Sequence, residues 1–192
     1  DPFLTTQLAT LCSPAVEQPR FNQLVRALYT SLIRSVISHA FPQAVAECPT
    51  RMAETNPRGI LRASMVDRST STVVVDIARA GILPSQICFD TLNEILDPAC
   101  VRQDHIIMAR TVDGDNRVTG AEISGQKIGG PIEGRHLLFP DPMGATGNSL
   151  AQAIELFKSG DFGKPDAIFS LNLIVTPQFI KRLKTAHPEC VI

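Results

Sequence analysis

The sequence carries almost no net charge. Across 192 residues, 18 Lys and Arg stand against 19 Asp and Glu, a formal balance of −1. So even a balance gives no electrostatic case for a nucleic-acid partner or an anionic membrane surface. No apolar run approaches the ~20 residues that a membrane-spanning helix needs, and no basic-then-apolar leader opens the chain. The chain begins at Asp1 and not at Met, as expected of a trimmed start. The five cysteines (Cys12, Cys48, Cys88, Cys100 and Cys190) are odd in number and widely dispersed. That argues against a disulfide framework or a zinc site, and a reducing cytoplasm is the expected setting. His39, His105, His136 and His187 form no pair at metal-ligand spacing. No G-x-x-x-x-G-K-[ST] occurs, which speaks against a nucleotide-triphosphatase P-loop. There is no internal repeat and no linker. A single domain over residues 1–192 is expected, and 44% hydrophobic against 19% charged residues suffices for a core.

Periodicity supplies the elements. Phe21, Leu24, Val25, Leu28, Leu32, Ile33, Val36 and Ile37 recur at steps of three and four, which predicts an amphipathic helix over about 20–40, between Pro19 and Pro42. Residues 43–70 are mixed and polar and yield no assignment. Thr72-Val73-Val74-Val75-Asp76-Ile77 reads as a buried strand. A helix opened by Pro84 follows, with Ile87, Thr91, Leu92 and Ile95 on one side. Further strands are predicted at 105–109, 137–139 and 167–175, with helices at 150–158 and 177–186. Thr176-Pro177 suits the N-cap and first position of the last helix. Strands alternating with helices imply a parallel sheet covered on both faces, with ligands bound beyond the carboxyl ends of its strands. The loops at 78–81, 110–112 and 141–149 therefore gather on one edge. Residues 110–135 are polar and Gly-rich, which predicts a hairpin or flexible flap. His105 and His136 flank strands and are read as structural. Asp76, within a strand, is read as capping a loop or pairing with a base such as Arg110.

The most informative stretch is Leu137-Leu138-Phe139-Pro140-Asp141-Pro142-Met143-Gly144-Ala145-Thr146-Gly147-Asn148-Ser149-Leu150. An apolar run ends in a carboxylate, small and hydroxylated residues follow, and an amphipathic helix begins. Backbone N–H groups at such a helix start suit a phosphate, and the preceding acid suits hydroxyl groups. Ser149 and Gln152 have capping-box spacing. The same residues also suit an ordinary strand–turn–helix connection, with glycine for geometry and Ser or Asn for capping.

The string Asp141 to Ser149 closely resembles the phosphoribosyl diphosphate loop of uracil phosphoribosyltransferases, type I phosphoribosyltransferases in which the usual acidic pair is replaced by Asp-Pro. Val75-Asp76-Ile77-Ala78-Arg79-Ala80-Gly81 resembles that family's strand and Arg-Ala-Gly diphosphate loop. Met108-Ala109-Arg110-Thr111 resembles the strand end that carries a second diphosphate-binding arginine. Ile174-Val175-Thr176-Pro177 and Ala186-His187-Pro188 fall where the family has a strand-to-helix turn and the end of a late helix. Three positions depart from the pattern. Gly144 stands where leucine is usual, Asn148 where glycine is usual, and Thr111 where aspartate is usual.

The resemblance implies an α/β fold of the type I phosphoribosyltransferase kind, with a central, mostly parallel sheet flanked by helices, an N-terminal helix and a flap. It implies transfer of ribose 5-phosphate from phosphoribosyl diphosphate to uracil, giving UMP and diphosphate. Thr146, Gly147, Asn148 and Ser149 would hold the 5′-phosphate, within a binding loop that includes Pro142, Met143, Gly144 and Ala145. Asp141 would accept hydrogen bonds from the ribose hydroxyls and favour a cationic transition state. Arg79 and Arg110 would neutralise the diphosphate, with the Ala80 and Gly81 backbone against it. Mg²⁺ would arrive with the diphosphate, so no protein metal site is expected. A homodimer or larger homo-oligomer is implied, with residues 112–130 as an interface arm. The family's Gly-Asp-rich base-recognition segment has no match here. Val191-Ile192 reads as the start of a further strand, and the segment is expected in a tail beyond it. The alternatives are a non-catalytic phosphoribosyl- or nucleotide-binding regulator of the same fold, and a transferase for another base.

Overall fold

A computed structural model describes the backbone of residues 1–112 and 118–192, and the side chains of residues 1–109 and 122–192. From the N-terminus, helices α1 (Pro2–Leu11) and α2 (Arg20–Ala40) precede a hairpin of β1 (Gln43–Pro49) and β2 (Ile60–Val66). Next come β3 (Thr72–Ala78), α3 (Ile82–Ile95), β4 (Val101–Val112), β5 (Val118–Lys127) and β6 (His136–Pro140). The chain closes with β7 (Met143–Gly144), α4 (Asn148–Ser159), β8 (Ala167–Leu171), β9 (Ile174–Val175) and α5 (Pro177–Ala186). The main sheet has five strands in the order β5-β4-β3-β6-β8. All its neighbours pair in parallel except β4 and β5, which are antiparallel.

Both faces of this sheet are covered at its centre, which is why its central strands β3 and β6 are mostly apolar. Val73, Val75 and Ile77 of β3 and Leu137 and Phe139 of β6 pack with Leu150, Ile154 and Phe157 of α4 and Phe179 and Leu183 of α5. The alternate residues Val74 and Leu138 pack with Tyr29, Ile33 and Ile37 of α2 and Ile87 and Leu92 of α3. The helix expected over 20–40 is α2, with Pro19 at its N-cap. Helix α3 starts at Ile82, two residues before the Pro84 predicted to open it. His136 is structural as expected. It lies at the amino end of β6, edge-on to Phe41 and Phe169, far along the strand from the ligand-side loops.

Residues 43–66, left unassigned from sequence, form a separate two-stranded antiparallel hairpin. Both its faces are largely exposed, so no apolar alternation marks it. Helix α1 was also not anticipated. None of its residues is buried, so it lacks a core-facing stripe. The single strand predicted at 167–175 is broken. After Leu171 the chain turns so that the Leu173 and Ile174 N–H groups both donate to the Pro142 carbonyl, each at 3.2 Å. β9 then pairs in parallel with β7. Val191 makes one parallel bridge to Phe169, where a further strand was expected to start.

The hairpin expected within 110–135 is the β4–β5 pair. Its tip, residues 113–117, lies outside the described residues. Its return is fixed to β4 by a buried ion pair. Arg102 donates to both oxygens of Asp104 at 2.9 Å and to the carbonyls of Gly130 and Pro131 at 3.0 Å. Asp104, fully buried, also accepts the Gly129 N–H at 3.0 Å. Asp104→Asn is expected to cost about 1.5–3 kcal/mol, the usual loss for hydrogen bonds to a charged group. Chemical denaturation would read it, and an unchanged midpoint would show that the clamp adds nothing.

Candidate active site

Three strand ends set the site. The loop after β3, the carboxyl-terminal half of β4 and the loop after β6 border an open cleft of about 760 Å³. Arg79 and Ala80, Met108 and Ala109, and Asp141 and Ser149 line it. The sheet topology thus brings together on one edge residues that are 70 positions apart in the chain, as expected for ligand sites beyond parallel strands.

The β3 loop is compact. The Ala78–Arg79 peptide is cis. The Gly81 N–H donates to the Ile77 carbonyl at 3.0 Å, and Gly81 caps α3. A Cβ at Gly81 would lie 2.9 Å from the Ile77 nitrogen, so only glycine lets the loop fold back this closely. Asp76 lies beneath it. Among the described residues no loop N–H donates to Asp76, and the expected pairing with Arg110 falls on a side chain outside them. Its Oδ2 sits 3.2 Å from His105 Nδ1. His105, read from sequence as structural, therefore has a carboxylate partner that lies against the Gly81 end of the loop.

Asp141 directly follows β6 and is held through its backbone. Its N–H donates to the Leu171 carbonyl at 3.0 Å, and Asn172 Nδ2 donates to its carbonyl at 2.6 Å. The Tyr29 hydroxyl, from α2, donates to the same Leu171 carbonyl at 3.0 Å. The Asp141 side chain is therefore left to the cleft, with Oδ1 accepting the Met143 N–H at 3.1 Å. Burial pushes its carboxyl above the usual carboxylate range, and the Met143 N–H offsets part of that rise.

Beyond Pro142, Met143 and Gly144 form β7, and Ala145 leads into α4. Thr176 secures this turn. Its N–H donates to the Gly144 carbonyl at 2.9 Å, its hydroxyl donates to the Ala145 carbonyl, and the same oxygen accepts the Phe179 N–H to cap α5 at 3.1 Å. Gly147 takes φ +77°, a conformation that favours glycine, and it caps α4. The expected Ser149–Gln152 capping box is not formed. Ser149 lies inside α4, whose N-cap is Gly147; the Thr146 hydroxyl oxygen accepts the Asn148 N–H at a long 3.5 Å. The remaining first-turn N–H groups of α4 keep the partial positive charge that suits an anion. Ser149 faces the cleft, whereas Thr146 and Asn148 border an adjoining depression with Lys181 and Arg182 of α5. Those two cations were missed from sequence, where nothing local ties α5 to the loop. The Arg110 and Thr111 backbone lies in β4, opposite Ala121 and Gly120; their side chains lie outside the described residues. No group of three or more His, Cys, Asp or Glu among the described residues could hold a metal ion.

The family model for uracil phosphoribosyltransferase matches residues 1–192. The chain belongs to that family. A uracil phosphoribosyltransferase from Synechocystis sp. is 27% identical over 136 residues, 71% of this chain and 58% of that protein. The chloroplastic uridine/cytidine kinase UKL1 of Arabidopsis thaliana is 32% identical over 165 residues, 84% of this chain and 30% of that protein. The chain thus spans well under two thirds of these relatives' lengths. Among solved structures, the AQ2163 protein from Aquifex aeolicus superposes with a TM-score of 0.75 at 18% identity, covering 100% of this chain and 81% of that one. A hypoxanthine phosphoribosyltransferase from Staphylococcus aureus gives 0.52 at 14% identity, covering 81% and 65%. At these identities the superpositions show the phosphoribosyltransferase type of fold.

Proposed function

We propose that this chain transfers ribose 5-phosphate from phosphoribosyl diphosphate to uracil. The bond from C1′ to the diphosphate oxygen breaks, a bond from C1′ to a ring nitrogen forms, and that nitrogen loses its proton. One observation carries this reading: the cleft sets a half-buried carboxylate, Asp141, between the Arg79–Ala80 loop and the start of α4. Charge is thereby placed where the reaction needs it, with little covalent work asked of the protein. Arg79 neutralises the departing diphosphate. The first turn of α4 holds the 5′-phosphate, with Thr146, Gly147, Asn148 and Ser149 around it. Asp141 orients the ribose hydroxyls and opposes the positive charge that builds on the ring.

Mg²⁺ fits this donor set as a companion of the substrate. Among the described residues one carboxylate lines the cleft and no ligand cluster is present, and a hard cation takes its remaining ligands from phosphate oxygens and water. When bound, it would supply charge neutralisation on the diphosphate. A pyrimidine acceptor is favoured because the sequence relatives are named for uracil and uridine chemistry, while the likeness to the hypoxanthine enzyme is one of fold. The five cysteines are unpaired, in keeping with a reducing cytoplasmic setting.

The test is diphosphate release from phosphoribosyl diphosphate, Mg²⁺ and uracil, with hypoxanthine and orotate in parallel. Release with uracil alone supports the reading, and release with another base reassigns the acceptor. A folded protein that binds phosphoribosyl diphosphate without turnover supports the second reading, a phosphoribosyl-binding regulator. Exposed Asn148, in place of the family's usual glycine beside the phosphate, favours that reading.

We also propose self-association through the β1–β2 hairpin, in addition to the arm expected at residues 112–130. Val45 (67% exposed) and Ile60 (48%) share one face of it, and a two-stranded hairpin is marginal without cover. Light scattering should give a multiple of the 20.8 kDa chain mass, and Val45→Asp with Ile60→Asp should lower it. An unchanged mass in the double variant would move the interface elsewhere.

A further inference from the structure

Asp76 is an expensive residue where it stands. It interrupts the apolar run of β3 and is 3% exposed. A carboxylate so placed calls for full pairing. Among the described residues its Oδ2 has one partner, His105 Nδ1 at 3.2 Å. Its Oδ1 is buried and accepts no hydrogen bond among the described residues. That oxygen faces the backbone of the Arg79-Ala80-Gly81 loop, since a Cβ at Gly81 would sit 3.0 Å from it. His105 lies beside Asp76 in the β3–β4 register, and its side chain is 47% exposed. Two residues earlier on β4, Gln103 Nε2 donates to Ser85 Oγ at 3.0 Å, and Ser85 Oγ donates to the Ile82 carbonyl at 3.1 Å. Strand β4 thus reaches under both the loop and the first turn of α3 with two polar side chains.

We propose that Asp76 and His105 are positioning residues for the diphosphate group, bracing the Arg79–Gly81 loop from beneath. The inference rests on the phosphoribosyl diphosphate reading of the cleft. His105 anchors one carboxylate oxygen, and the other bears on the Gly81 backbone, which fixes the height of the loop at the cleft. The 5′-phosphate cradle at 144–149 is built from other elements and does not depend on this pair.

The separation of the two anion sites provides the test. Calorimetric titration with diphosphate and Mg²⁺, and separately with ribose 5-phosphate, is run on the whole protein. His105→Ala is expected to weaken diphosphate binding about tenfold while ribose 5-phosphate stays within about twofold, the scale of one hydrogen bond to a charged group. His105→Gln, which keeps a donor toward Asp76, should recover most of the loss. Unchanged diphosphate binding in His105→Ala overturns the inference. So does equal loss for both ligands, which is what a merely structural role predicts, and so does a failure of His105→Gln to recover. A wild-type protein that binds neither ligand overturns the cleft reading itself, and the inference with it. Wild-type binding of both, with no effect of His105→Ala, removes the inference alone.

Discussion

Asp141→Asn is expected to cut turnover by roughly 10²–10³-fold, the scale seen when one preorganised electrostatic partner of a transition state is lost. Affinity for phosphoribosyl diphosphate should change far less. The asymmetry follows from when the charge appears. The ribose ring is neutral in the bound substrate and becomes cationic as diphosphate leaves, so the carboxylate acts chiefly on the transition state. The substitution isolates that effect. The Asp141 N–H and carbonyl bonds to Leu171 and Asn172 belong to the backbone, and an amide oxygen can still accept the Met143 N–H. Steady-state kinetics beside equilibrium titration will separate the two quantities. An equal loss in both would place Asp141 in ground-state binding.

The same carboxylate makes a pH prediction. Burial raises its folded-state pKa above the ordinary 3.8. The ionised form is the working form, so activity should fall on the acid side at a pH above the ordinary carboxylate range. That limb should vanish from the residual activity of Asp141→Asn. The stability effect has the opposite sense. The folded state holds the proton at a pH where the unfolded state has released it. Stability therefore drops as pH rises from the unfolded value through the folded one, and the penalty is complete above both. At neutral pH the asparagine variant lacks that penalty and should melt no lower than the wild type. A lower melting temperature would mean that the ionised group is a structural asset.

What was legible in the sequence is what local physics dictates. β3 and β6 stood out because both faces are buried and most positions are apolar. α2 stood out through its stripe, and α5 through Thr176-Pro177. Arg79, Ala80, Asp141 and Ser149 fell into one cleft because parallel strands direct their following loops to one edge. What stayed hidden depends on partners far along the chain. The break after Leu171 is caused by the Pro142 carbonyl, which draws two N–H groups away from the β8 ladder. The capping box failed because Gly147, free to take a positive φ, starts α4 before Ser149. Lys181 and Arg182 reach Thr146 and Asn148 only once α5 has docked. The β1–β2 hairpin gave no signal because neither face is buried.

Gly144→Leu should restore the family's usual residue and yet destabilise this protein. A Cβ at Gly144 would lie 2.6 Å from the ring of Phe179, which is 2% exposed in the core. Overpacking of this kind typically costs about 1–3 kcal/mol, and more where the neighbour cannot move. Phe179 has little freedom. Its N–H is bound by the Thr176 hydroxyl, and that hydroxyl also holds the Ala145 carbonyl. Phe179→Ala alone should cost about 3–5 kcal/mol by opening a cavity. In the double variant the leucine enters the space the ring has left. The combined loss should then fall short of the sum by roughly 0.5–3 kcal/mol, as for residues that share one volume. Chemical denaturation of the four proteins measures that coupling, and simple additivity would disprove it. Coupling would mean that the apolar volume carried by the loop in most of the family is carried here by α5. The glycine would then be a relocation of bulk and not a loss of the site, because the backbone path from Asp141 to Ser149 is the part proposed to meet the phosphate.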